Sequence, residues 1–170
     1  MLKVKVENPA ALHFILQDDI YLLNADKDLY YSAILPPPEI KTEQPVFNYL
    51  GLNKKNFLIL VHYPGHQFIL DTHQTALESV LNRKSHALDD VAILNMHNYT
   101  GAELNHLLTY FEPKTMLILG QKAIPAGLDK PVFNTTANAG AYNLLYTFSF
   151  DEMMSSNENK KAFWDQVKTL

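Results

Sequence analysis

Phe57-Leu58-Ile59-Leu60-Val61, followed by the loop His62-Tyr63-Pro64-Gly65-His66, decides the fold. The apolar run leaves no polar face, so it reads as a strand covered on both sides. Working outward, Gln74–Arg83 carries Leu77, Val80 and Leu81 at helical spacing, and Val91-Ala92-Ile93-Leu94 is a second buried run. Thr100-Gly101-Ala102-Glu103 predicts a capping box, with Asp71 or Thr72 as the N-cap of the earlier helix. The helix after Glu103 carries Leu104, Leu107, Leu108 and Phe111 and must stop before Pro113. Met116-Leu117-Ile118-Leu119 is a third run, closed by Gly120, and Leu144–Phe148 is a further strand. A last helix begins near Asn157, with Phe163, Trp164 and Val167 on one side.

Strand and helix in alternation predict an α/β fold: a mainly parallel central sheet with helices on both faces. Right-handed crossovers bring the loops after the strands to one common edge. In front of this core, Pro36-Pro37-Pro38 forces an extended connector. Before it, Asp19–Leu23 and Leu29–Leu35 read as an N-terminal strand pair joined by the polar turn 24–28. The expectation is one domain over residues 1–170, with residues 1–56 as strands and connector and 57–170 as the α/β core. The length of 170 residues suits that, because a chain of this size buries enough surface to need no staples.

Composition removes several function classes. Without cysteine, no disulfide, thiolate metal site or cysteine nucleophile is possible. Lys plus Arg is 14 against 18 Asp plus Glu, a net charge of −4, and the charges are evenly spread. Tight nucleic-acid binding needs a basic cluster to neutralise phosphates, so DNA is expected to be met only indirectly. Met1–Val6 is no signal peptide and no run reaches membrane-span length, so the cytoplasm is expected and a membrane is not.

Candidate chemistry falls in the loops after the strands. His62, Tyr63, Gly65 and His66 follow the first strand, and Asn95, His97 and Asn98 follow the second. Histidines there suit general acid–base work or metal binding. The four-residue spacing of His62 and His66 would share a helix face, but Pro64 bars the helix and no Glu follows, so no metal is expected. Gly120-Gln121-Lys122 lacks the glycines of a dinucleotide or phosphate loop, so no cofactor is expected either. No serine sits in a nucleophile elbow, and Asp89-Asp90 precedes its strand, at the wrong edge of the sheet. Of the adjacent rings Phe163 and Trp164, the simple expectation is that both pin the last helix to the sheet; the alternative is that one projects as a protein-binding anchor.

The tail carries a family resemblance. Phe150-Asp151-Glu152-Met153, then Asn157, Lys160 and Ala162-Phe163-Trp164-Asp165-Gln166-Val167, resembles the C-terminal pattern of the psi subunit family of bacterial DNA polymerase III. The order of elements upstream is similar too, so that residues 57–170 are covered. The resemblance implies a three-layer α/β/α fold like that of uracil-DNA glycosylases, without enzymatic activity. It implies protein partners, the clamp-loader subunits, and a link to single-strand-binding protein through a second accessory subunit. Active glycosylases of that fold carry an acidic or polar water-activating residue after the first central strand and a His-Pro-Ser-like segment after the last. Here those positions hold His62-Tyr63-Pro64-Gly65-His66 and Thr147-Phe148-Ser149-Phe150. The amino terminus departs from the family: in place of a short, partly basic peptide with a tryptophan there are strand-like segments, and Arg83 is the single arginine. The competing expectation is a divergent nucleobase glycosylase or small hydrolase, using His62, His66 or His97 at the C-terminal edge of the sheet. Whether that edge forms a pocket or is filled bears directly on the choice.

Overall fold

The structure, a computed structural model, describes residues 46–170. The expected strand pair at 19–35 and the proline connector lie outside the described residues. The described chain is mixed α/β, with a six-stranded sheet of order β1-β3-β2-β4-β6-β5 and four α-helices. The strands are β1 Leu50–Gly51, β2 Phe57–Val61, β3 Val91–Asn95, β4 Thr115–Leu119, β5 Thr135–Asn138 and β6 Asn143–Thr147. The helices are α1 Asp71–Arg83, α2 Leu104–Phe111, α3 Phe150–Ser155 and α4 Asn157–Val167.

β3, β2, β4 and β6 run parallel, and the outermost strands β1 and β5 pair antiparallel to β3 and β6. The apolar runs divide by the period-two rule of a strand. Phe57, Ile59 and Val61, with Val91, Ile93, Leu117, Leu119 and Leu145, face one core. Leu58, Leu60, Ala92, Leu94, Met116, Ile118, Leu144 and Tyr146 face the other. Leu77 and Leu81 of α1, Phe150 and Met153 of α3, and Phe163 and Val167 of α4 cover the first face. Leu107 and Phe111 of α2 cover the second, together with Phe47, Ala123 and Tyr142. The continuous apolar runs are thus required by helices on both sides.

Two short strands add the edges. Gly51 makes the β1 pairing possible: its φ is +99°, and a Cβ there would stand 2.1 Å from the Val91 carbonyl oxygen. Asp89 and Asp90 lie before β3, as expected, where Lys54 Nζ reaches Asp89 at 2.7 Å and Lys55 Nζ reaches Asp90 at 3.0 Å.

Two capping expectations are corrected. The N-cap of α1 is Leu70, so Asp71 and Thr72 already lie inside the helix, with Asp71 favourably placed in its first turn. The predicted Thr100–Glu103 box does not form: Glu103 is the N-cap of α2 and makes no side-chain cap bond. The reason is tertiary, since Glu103 bridges to Ala126 and the Leu104 amide donates to the Ala126 carbonyl at 2.8 Å. A neighbouring loop therefore satisfies a first-turn amide that a capping side chain would otherwise serve. A capping box forms at α3 instead. There the Ser149 amide donates to Glu152 Oε2 at 2.7 Å, and the Glu152 amide donates to Ser149 Oγ at 3.4 Å. α3 itself goes beyond the sequence reading, which places only a family motif at 150–153.

Candidate functional site at the C-terminal sheet edge

The chain leaves β2 through α1 to β3 on one side, then returns through α2 to β4 on the other. The order reverses between β2 and β4, which opens a crevice at the carboxyl ends of these strands. A cleft of about 710 Å³ occupies that position, so the edge is open. His62 after β2, Gly120 and Lys122 after β4, and Ser149, Asp151 and Glu152 after β6 line it. Gly120 has φ +89°, and a Cβ there would come within 3.0 Å of the Ser149 Cβ. The glycine lets the β4 and β6 ends approach, and its amide donates to the Thr147 carbonyl at 3.0 Å. A second hollow of about 280 Å³ shares His62 and Lys122 and adds His97 and Tyr99.

The seven loop residues expected from sequence take different positions. Asn95 is completely buried at the end of β3. Its Oδ1 accepts from the Tyr63 amide at 2.9 Å and the His97 amide at 3.1 Å. Its Nδ2 donates to the carbonyls of Tyr63 at 2.9 Å and His66 at 2.8 Å. Two accepted and two donated bonds are the full capacity of a carboxamide. Asn95 therefore staples the loop after β2 to the loop after β3. Asn98 repeats the device nearer solvent, donating through Nδ2 to the Gln67 carbonyl at 2.9 Å.

His62 and His97 do come together, with ring centroids 5.2 Å apart in an edge-to-face arrangement. His62 is half-buried and His97 exposed. His66 is exposed, and its amide donates to the Tyr63 carbonyl at 3.4 Å, closing the turn. Gly65 supplies the positive φ of that turn, +77°, with open space where a side chain would stand.

Tyr63 points away from the histidine pair. Its hydroxyl lies 2.8 Å from Nδ1 of His73, a buried residue of α1 that stacks on Phe150 at 5.4 Å. Burial, and secondarily the Asp151 charge, push the Tyr63 phenol well above its ordinary range. The Tyr63 hydroxyl and His73 Nδ1 share a hydrogen bond, and His73 Nε2 faces Asp151 Oδ1 at 4.0 Å. The Tyr63–His73 bond ties the first loop to α1, and the stacking of His73 on Phe150 joins α1 to α3. The sequence reading gives Asp151 a place only in the tail motif; the fold brings it beside His73 of α1.

The cleft thus combines an imidazole, an ammonium and two carboxylates, groups able to hold a polar ligand or move a proton. Glu152 is committed in part to the Ser149 box, where Ser149 Oγ donates to its Oε2 at 2.8 Å. Among the described residues, no three His, Asp or Glu side chains converge as metal ligands. No helix among them is long and apolar enough to cross a membrane. No protein-family model matches the chain, and no curated protein matches it in a sequence search.

Proposed function

We propose that the chain is a non-catalytic accessory subunit of the clamp loader of a replicative DNA polymerase, psi-like, with a uracil-DNA glycosylase-like three-layer fold. It works by binding clamp-loader subunits and meets DNA only through them. The tail pattern from Phe150 to Val167 supports the family. One observation supports the non-catalytic part: the Asn95 carboxamide, buried at the end of β3, spends all four hydrogen bonds on the loops around it. A group so committed holds loops and has nothing left with which to read a ligand. Co-purification of the full chain from its native cells is expected to recover clamp-loader subunits. A purification that recovers none of them rejects the proposal.

The second reading, a divergent nucleobase glycosylase or small hydrolase, is favoured by the open cleft beside His62 and Asp151. It requires base release from uracil- or mismatch-containing DNA, abolished by His62→Ala. The accessory-subunit reading expects no release from any such substrate.

A further inference from the structure

On the face of the molecule built by α1, α3 and α4 lies an apolar groove of about 260 Å³. Its floor is Phe150, Met153 and Phe163, all buried. Val80 and Trp164 form half-buried walls, and Met154 stands exposed at 43%. Among the described residues, the charged ones lining it are two cations, Arg83 and Lys160, with no carboxylate. Among the described residues neither cation makes an ion pair. Arg83 instead lies over the Trp164 ring, 5.5 Å from its centroid. The groove is held in shape from outside: Lys84 Nζ donates to the carbonyls of Val167 at 2.6 Å and Leu170 at 2.8 Å, locking the end of α1 to the end of α4.

We propose that this groove docks a short acidic, amphipathic segment of a partner protein. The volume is below the range of small-molecule pockets and suits one or two inserted side chains. An apolar floor selects an apolar anchor, and unpaired cations on the rim select carboxylates flanking that anchor. Trp164 and Arg83 are the residue types that dominate binding energy in such contacts. The proposal deepens the reading of the chain as a protein-binding subunit and rests on it. It also gives the two adjacent rings separate roles, Phe163 in the core and Trp164 at the surface.

The chain holds a single tryptophan, so Trp164 reports on its own groove. The probe is a helical peptide with Leu, Leu and Phe at positions i, i+3 and i+7 and glutamates at both ends, titrated into the full chain. Saturable change of Trp164 emission is expected, weakening as salt rises. The double variant Arg83→Glu, Lys160→Glu is expected to weaken binding about tenfold or more. That variant is expected to bind the same peptide better when lysines replace the glutamates. No saturable change, or equal affinity for both peptides, overturns the proposal. So does self-association of the chain, seen by sedimentation velocity and removed by Met154→Glu, since a second copy is then the occupant. The clamp-loader reading fails separately, by co-purification, whatever the peptide does.

Discussion

The crevice at the sheet edge and the groove between α1 and α4 are opposite kinds of surface. The crevice is lined by polar side chains, of which Ser149 and Glu152 bond to each other, and in the loops next to it Asn95 and Tyr63 are spent on two loops and on His73. The groove is apolar, and its two cations have no ionic partner among the described residues. The asparagines Asn95 and Asn98 mark where loops need fastening. Unspent charge around apolar surface marks where another molecule can add stability.

The largest expected effect breaks the staple. Asn95→Ala removes the partner of two amides and two carbonyls beneath the loops and should cost about 3 kcal/mol of unfolding free energy. Denaturant titration measures it; a loss under about 1 kcal/mol would mean water or slack replaces the staple. Gly120→Ala should come next, at about 2 kcal/mol, because it combines a positive φ with a close Ser149 contact. The groove should behave differently. Arg83→Glu with Lys160→Glu should change stability by only about 1 kcal/mol, mostly through the lost Arg83–Trp164 contact. At the histidine pair, His62→Ala and His97→Ala should each shift stability by about 0.5 kcal/mol or less, since neither ring holds a buried hydrogen bond.

The smallest effect is one of pH. The His86 imidazole is held below its ordinary range, first by burial and then by the Lys55 and Lys84 charges. The folded state therefore resists a proton that the unfolded state accepts. Stability from this group is present above the unfolded value, about 6.5, and falls as pH drops below it toward the lowered folded value. His86→Gln should flatten that acid-side slope in thermal unfolding followed from pH 7 to 5. An unchanged slope would assign it to other groups.

How much of this is legible in the sequence differs by element. β2, β3 and β4 are plain, because a strand covered on both faces must be apolar at every position, and Phe57–Val61 shows that without any partner in view. β5 is not, because Thr135–Asn138 is a short, polar edge strand in which Ala137 is the one apolar residue. β1 is two residues long and exists through its pairing with β3. The cap of α2 is hidden for a related reason: the Ala126 carbonyl that serves it comes from a remote loop. The loops after β2 and β3 are correctly placed together by topology alone, and His62 and His97 do meet. The internal commitment of Asn95 is invisible until the carbonyls of Tyr63 and His66 have positions. The groove as a whole is hidden, since Val80, Met153 and Trp164 belong to three separate helices, and the sequence offers only the alternative that one ring of the Phe163–Trp164 pair projects outward.

The proposed role is that the chain binds clamp-loader subunits, with Asn95 serving only to fasten the loops after β2 and β3. Sedimentation velocity of the purified full chain mixed with reconstituted clamp loader tests it most directly. A single faster-sedimenting complex containing both is expected, with no base release when uracil-containing DNA is added. Separate boundaries for the chain and the clamp loader, together with base release that His62→Ala abolishes, would contradict it.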